Sequence, residues 1–263
     1  MNRIAQTFDE ALKNGRKALI PYITAGDPTL EMTKRLVVEL AGRGADIIEL
    51  GVPFSDPVAD GPTIQRASLR ALQAGTTLRA IVQTVAEIRQ QARIPIVLMT
   101  YYNPIIAYGI PAFCWEAARA GVDGVIVPDL PPEEAGDLTA ACREQGMASI
   151  FLVAPTSTVE RIRLIDQHTT GFVYCVSLTG VTGARSRLAE GVEDFVSTVR
   201  AHTTHPLAIG FGIATPQHAA AAARLADGVI VGSAIIDVME RSPDADGLVT
   251  RVGEFVGSLR EAF

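Results

Sequence analysis

Cysteine and histidine are scarce in this chain, and their scarcity removes several functional classes. The three cysteines among 263 residues, Cys114, Cys142 and Cys175, are odd in number, far apart in sequence and free of C-x-x-C spacing. A disulfide framework and a zinc ribbon are therefore excluded, and a reducing, cytoplasmic setting is expected. Of the four histidines, His168, His202 and His205 precede predicted strands and His218 falls in a predicted helix. His202-x-x-His205 has the spacing of a metal pair but reads better as a plain surface loop, so no metal is expected. Aromatic residues make up only 6%, with a single tryptophan. No apolar run reaches the ~18 residues of a membrane span, and Met1–Leu12 is amphipathic and charged, unlike a signal peptide. The 23 basic residues are outnumbered by 29 acidic ones, for a net charge of -6. They are scattered rather than striped, which argues against nucleic acid as a partner.

What is present is apolar surface in a regular order. Apolar residues form 48% of the chain and charged residues 20%, enough for a large core without staples. Short β-branched runs predict strands over 18–24, 46–50, 94–100, 124–127, 148–153, 171–176, 207–210 and 228–231. Helical periodicity lies between them over 30–43, 67–72 with 78–91, 111–120, 132–144, 159–167, 191–201 and 216–224, with a last helix over 246–262. Strict β-then-α order implies a parallel sheet with right-handed crossovers. Strands such as Ile94-Pro95-Ile96-Val97-Leu98-Met99 are apolar on both faces, which suits a closed barrel or a doubly wound sheet. Eight units, no dinucleotide-binding glycine pattern and a length near the roughly 250 residues of a (β/α)8 barrel favour the barrel. The expectation is one TIM-barrel domain over residues 1–263, with an extra N-terminal helix and a short phosphate-binding helix after the eighth strand. Gly44-Ala45-Asp46, Gly121-Val122-Asp123 and the related Ala226-Asp227 recur where a helix ends and a strand begins, as in a chain built of similar units.

Barrel chemistry sits on the loops after strand C-termini, and carboxylates gather after the second strand: Glu49, Asp56 and Asp60. Period-two alternation in Asp46-Ile47-Ile48-Glu49-Leu50 puts Glu49 on the face of Ile47. If that face lines the barrel mouth, burial raises the pKa of Glu49 toward the working range of a general acid/base. If it faces outward, Glu49 pairs with a basic residue of a covering helix. The stretch Gly51-Val52-Pro53-Phe54-Ser55-Asp56-Pro57-Val58-Ala59-Asp60-Gly61-Pro62 is too rich in proline and glycine for helix or strand. It is a stiff loop in which Asp60 either serves chemistry or caps the helix that Pro62 starts.

The run Glu49-Leu50-Gly51-Val52-Pro53-Phe54-Ser55-Asp56-Pro57 with Ala59-Asp60-Gly61-Pro62 resembles the signature of the tryptophan synthase alpha chain family. Further similarity lies in Tyr22-Ile23-Thr24-Ala25-Gly26-Asp27-Pro28, Met99-Thr100-Tyr101-Tyr102-Asn103-Pro104, Ser177-Leu178-Thr179-Gly180-Val181-Thr182-Gly183, Gly210-Phe211-Gly212-Ile213 and Gly232-Ser233-Ala234, so it runs over nearly the whole chain. The resemblance implies a lyase that cleaves indole-3-glycerol phosphate to indole and glyceraldehyde 3-phosphate by a retro-aldol step. It implies Glu49 as acid/base, Asp60 as an ionised acceptor of the indole N–H, and Tyr174 beside them; alone, a tyrosine in Phe172-Val173-Tyr174-Cys175-Val176 reads as core. Tyr22, Ile64, Met99, Tyr101, Thr182 and Phe211 are expected to line the substrate pocket.

Gly210-x-Gly212 and Gly232-Ser233 follow the last two strands, where barrels hold phosphate on loop amides and a helix N-terminus. Gly183, Gly212, Gly232 and Ser233 are the expected donors. The loop over 178–187, rich in glycine and threonine, reads as a lid, and the resemblance implies that Thr182-Gly183 organises Asp60. It also implies an alpha2-beta2 assembly in which a beta subunit, carrying pyridoxal phosphate, receives the indole. Pro53, Asp56, Pro57, Asn103 and Pro104 are the expected contact residues, and no cofactor is expected in this chain. Two alternatives stand beside this reading: a stand-alone lyase that releases indole, and a non-catalytic activator of the beta chain. Metal-dependent epimerases would need histidines at strand ends and indole-glycerol-phosphate synthase would need strand-end lysines.

Overall fold

Helices and parallel strands alternate as the hydrophobic pattern predicts. The structure, a computed structural model, describes residues 2–176, 191–210, 212–242 and 244–263. Nine hydrogen-bonded segments run β1 (Ala18–Thr24), β2 (Ile48–Gly51), β3 (Ile96–Met99), β4 (Gly124–Ile126), β5 (Ala148–Ile150), β6 (Leu152–Val153), β7 (Val173–Val176), β8 (Leu207–Gly210) and β9 (Gly228–Val231). Their spatial order is β5-β4-β3-β2-β1-β9-β8-β7-β6, with every pairing parallel. The two ends of that order, β5 and β6, are consecutive in the chain and separated only by Phe151. One predicted strand, 148–153, is thus divided: its first half pairs with β4 and its second with β7. The ring closes through it as an eight-stranded (β/α)8 barrel.

Closure sorts the side chains into two sets. Alternation sends Leu19, Ile48, Leu50, Ile96, Leu98 and Val231 outward, where they pack on the helical shell. Inward go Ala18, Ile20, Ile47, Val97, Ile126, Ile150, Phe172, Ala208 and Ile230, which fill the lumen. The shell includes α2 (Leu30–Gly42), α3 (Pro62–Gln73), α4 (Leu78–Ile88), α5 (Tyr102–Tyr108), α6 (Ile110–Ala120), α7 (Gly136–Glu144), α8 (Val159–His168), α9 (Val192–Arg200), α10 (Pro216–Leu225), α11 (Ser233–Glu240) and α12 (Ala245–Arg260). In α2, for example, Thr29 caps the first turn by accepting from the Met32 amide at 3.1 Å. The helix then buries Met32, Leu36, Val37 and Leu40 at the spacing of one helical face.

The N-terminal helix α1 (Arg3–Lys13) plugs the lumen from below. Ile4 and Phe8 join the interior cluster, and Phe8 meets Phe172 at 5.6 Å between ring centroids. The Gly-x-Asp repeats form a rim at the same end. Asp46, Asp123 and Asp227 each precede a strand, and each accepts from an amide in the first two residues of a neighbouring strand. The distances are 2.8 Å to Leu19, 2.8 Å to Ile96 and 2.9 Å to Leu207. Thr170 makes the matching contact to Ser149 at 2.9 Å. Each aspartate also holds a helix arginine: Arg260, Arg89 and Arg200 respectively. Packing and polar closure at this end leave the opposite mouth free for chemistry.

One element departs from expectation. Asn103 and Pro104 lie inside helix α5 rather than on a loop. Asp129, for which the sequence assigns no contact, accepts from the Tyr102 amide at 2.9 Å and so holds the start of that helix. The missing signal is physical: a seven-residue helix is too short to show a periodic face, and its cap comes from 27 positions away.

Candidate active site

Glu49 ends the inward face of β2, two residues above Ile47, and is 1% exposed. The outward alternative is ruled out, because Ile48 and Leu50 occupy that side. Strand register sets Glu49 between Tyr22 of β1 and Val97 of β3. Neither carboxyl oxygen has a hydrogen-bond partner among the described residues. A buried carboxylate without partners is costly, whereas the neutral acid is tolerated. Burial, with a smaller push from the charge of Asp60, accordingly raises the Glu49 pKa to about 8.

Asp60 sits at the end of the loop that follows β2. The helix-capping alternative fails: the N-cap of α3 is Gly61, with no side-chain cap. The Asp60 carboxylate instead accepts from the Tyr101 hydroxyl at 3.1 Å. That hydroxyl in turn accepts from the Ala59 amide at 2.9 Å, so Tyr101 fixes both the loop and the carboxylate. Phe54 stacks on the Tyr101 ring at 5.1 Å. Partial burial raises the Asp60 pKa to about 6, opposed by the Tyr101 hydrogen bond. Near neutrality the pair therefore presents one protonated and one ionised carboxyl group.

The same mouth gathers Tyr22 and Tyr174, both buried. Tyr174 on β7 lies near enough to Glu49 and Asp60 that their charges, after burial, hold its proton on. Glycine makes room for both rings. A Cβ at Gly51 would stand 2.1 Å from the Tyr22 hydroxyl, and one at Gly210 would stand 2.6 Å from the Tyr174 hydroxyl. Tyr22, Ala67 and Ile236, with Ile64 and Met99 packed against them, form an apolar wall beside the carboxyl groups. Tyr22, Ile64, Met99 and Tyr101 of the expected pocket are thus brought to one mouth. Phe211, Thr182 and Gly183 lie outside the described residues, as does the loop over 178–187.

Beyond β9, Gly232 is the N-cap residue of α11 and Ser233 its first residue. The free amides of a helix start suit an anion. Gly212, after β8, has φ +55°, a left-handed conformation that glycine adopts at little cost. Helix α11 is anchored by Glu240, which accepts from Arg66 at 2.9 Å and Arg70 at 2.6 Å. Arg70 also holds the buried Asp27 through two contacts of 2.8 and 2.7 Å. This network ties the loop after β1, helix α3 and helix α11 together. Sequence reasoning missed it, because its bonded partners lie up to 174 positions apart.

On the surface around the mouth, Asp56 and Asn103 are exposed while Pro57 and Pro104 are half-buried. Pro53 is buried, which corrects its expected place on a contact surface. The residues that protrude instead are Val58, 85% exposed, and Ile106 on α5, 53% exposed. Among the described residues no group of three or more histidine, cysteine or acidic side chains could hold a metal ion. No described helix is long and apolar enough to cross a membrane.

Comparison with known proteins places this geometry among relatives. The family model described as tryptophan synthase alpha chain matches residues 8–263. The tryptophan synthase alpha chain of Geotalea uraniireducens is 53% identical over 260 residues, covering 99% of this chain and 97% of that one. That of Geobacter sulfurreducens is 53% identical over 262 residues, covering 100% and 99%. The crystal structure of tryptophan synthase subunit alpha from Legionella pneumophila superposes with a TM-score of 0.93 at 41% identity, covering 100% of this chain and 98% of that one. A chain of the tryptophan synthase complex from Pyrococcus furiosus gives 0.85 at 40% identity, covering 92% and 97%.

Proposed function

The chain belongs to the tryptophan synthase alpha chain family, and from that premise we propose that it cleaves indole-3-glycerol phosphate to indole and glyceraldehyde 3-phosphate in tryptophan biosynthesis. The observation that carries the reading is the pair of carboxyl groups in unlike surroundings at one barrel mouth: Glu49 buried without a hydrogen-bond partner among the described residues, Asp60 bonded to the Tyr101 hydroxyl. Glu49 delivers its proton to indole C3, and the positive charge that develops on the ring is stabilised by Asp60 at the indole N–H. The Glu49 carboxylate left behind takes the proton of the adjacent glycerol hydroxyl. The bond between C3 and the glycerol carbon breaks as its electrons neutralise the ring, leaving indole, an aldehyde and a reprotonated Glu49. One acid thus serves both ends of the step, and the indole ring is the electron sink, so no Schiff base is required.

Tyr174 and Tyr22 border the reacting carbons, while Ile64, Met99 and Tyr101 flank the ring. Phosphate is bound by the amides of Gly212, Gly232 and Ser233, with Gly183 as a further donor. The chain acts as one barrel domain without a cofactor of its own in the cytoplasm. It works in an alpha2-beta2 assembly, as in the complex from Pyrococcus furiosus, and passes indole to a beta chain that carries the pyridoxal phosphate. Asp56, Pro57, Asn103 and Pro104, with Val58 and Ile106 beside them, form the docking face.

Purified protein assayed on indole-3-glycerol phosphate, with and without the beta chain, tests the reading. Wild type should cleave, faster with partner, and Glu49→Gln or Asp60→Asn should lose roughly 10²-fold or more. Cleavage by Glu49→Gln at the wild-type rate would remove Glu49 from the acid/base role, and no cleavage by wild type that still activates the beta chain would leave only an activator.

A further inference from the structure

Cys114 on α6 and Cys142 on α7 are 28 positions apart, yet the fold brings their sulfurs to 3.7 Å. The sequence alone treats the three cysteines as unrelated; adjacent crossover helices convert two of them into a neighbouring pair. Both are buried. Cys114 also borders a groove of about 720 Å³ on the outer flank between α6 and α7, with Ile110, Pro111, Trp115 and Ala141 around it. Cys114 has no solvent exposure at rest, so an oxidant reaches its sulfur from that groove through a local opening of the α6–α7 surface. Nothing in the proposed cleavage uses this pair.

We propose that Cys114 and Cys142 form a peroxide-sensitive dithiol, in which Cys114 is oxidised first and Cys142 resolves it to an intramolecular disulfide joining α6 to α7. The Cys114 thiolate attacks one oxygen of hydrogen peroxide, which forms the S–O bond of a sulfenic acid and releases hydroxide; the thiol proton neutralises it to water. The Cys142 sulfur then attacks the Cys114 sulfur and displaces a second water. Two thiols and one peroxide give one disulfide and two waters. The order follows from surroundings. Cys114 borders the groove, and the hydrogen bond from Cys142 favours its thiolate while the Cys142 proton is held more tightly. Bond formation needs the sulfurs to close from 3.7 Å to about 2 Å, within reach of a rotamer change and a small helix shift. Cys175 supplies an internal control: it is buried on β7, and burial pushes its thiol up to about 12.

The test is a peptide map of the full-length chain after peroxide treatment, with remaining thiols alkylated in denaturant. The expected product is one intramolecular cross-linked peptide pair containing Cys114 and Cys142, two hydrogens lighter than the free thiols and restored by dithiothreitol. Cys175 should be found alkylated. Cys142→Ser should stop at a Cys114 sulfenic acid that dimedone captures. Alkylation of Cys114 and Cys142 to the same extent as Cys175 would overturn the proposal, as would a cross-link only between chains. The wild-type map decides the matter even if the serine variant fails to fold.

Discussion

Glu49 and Asp60 are chemically alike, and their surroundings set them to opposite protonation states. Glu49 has burial and no partner among the described residues; Asp60 has partial exposure and the Tyr101 hydroxyl. Cleavage that needs the first protonated and the second ionised should show a bell-shaped kcat/KM, with limbs near about 6 and about 8, which report the free enzyme. Tyr101→Phe removes a hydrogen bond that lowers the Asp60 pKa. Its acid limb should therefore move toward neutral pH, with a loss of about two- to tenfold at pH 7 for the ~1.5–3 kcal/mol of a hydrogen bond to a charged group. An unmoved limb would remove Tyr101 from this role. Stability carries the same signature. The folded chain holds the Glu49 proton more tightly than the unfolded chain does, so this group's contribution is complete below about 4.5 and is lost as pH rises through about 8. The loss is on the order of 5 kcal/mol. Glu49→Gln has no such proton to lose and should exceed wild type in urea unfolding at pH 9 but not at pH 4. Equal pH dependence of the two proteins would contradict the assignment.

At the scale of elements, the recurring aspartates divide the barrel into similar units, and their burial orders their worth. Asp123 is 5% exposed and joins Arg3, Arg89 and the Ile96 amide, whereas Asp227 is 26% exposed. Asp123→Ala leaves the Arg89 guanidinium buried without its carboxylate and should cost about 3–5 kcal/mol. Asp227→Ala should cost about 1–2 kcal/mol, mostly the strand-start hydrogen bond. Denaturant titration of both variants checks the ranking; a reversed order would mean that burial does not set it. Much of this level was legible. The strands over 18–24, 207–210 and 228–231 agree with β1, β8 and β9 to the residue, because continuous apolar runs bounded by glycine and charge admit little else. The face of Glu49 was not legible, since a strand covered on both sides has no polar face to orient it. The break at Phe151 and the short helix α5 were missed for lack of a local signal. The join between Tyr101 and Asp60, 41 positions apart, has no local signature at all.

The whole molecule separates its two ends. The lower end is closed by the α1 plug and the aspartate rim; the upper mouth carries the carboxyl pair, the start of helix α11 and the exposed side chains of Val58 and Ile106. The proposed docking face includes both of these side chains. Val58→Asp and Ile106→Asp should weaken association with the beta chain by about 1–3 kcal/mol each, read as a rise in the beta-chain concentration needed for half-maximal activation. Unchanged titration curves would move the interface elsewhere.

Burial in the barrel beside an ionised Asp60 should leave Glu49 protonated at neutral pH. Carbon-13 NMR of the Glu49 carboxyl across pH 4–10, assigned by its loss in Glu49→Gln, measures that directly. A midpoint near 8 that falls in Asp60→Asn is predicted; a midpoint near 4.5, unmoved by Asp60→Asn, would contradict it.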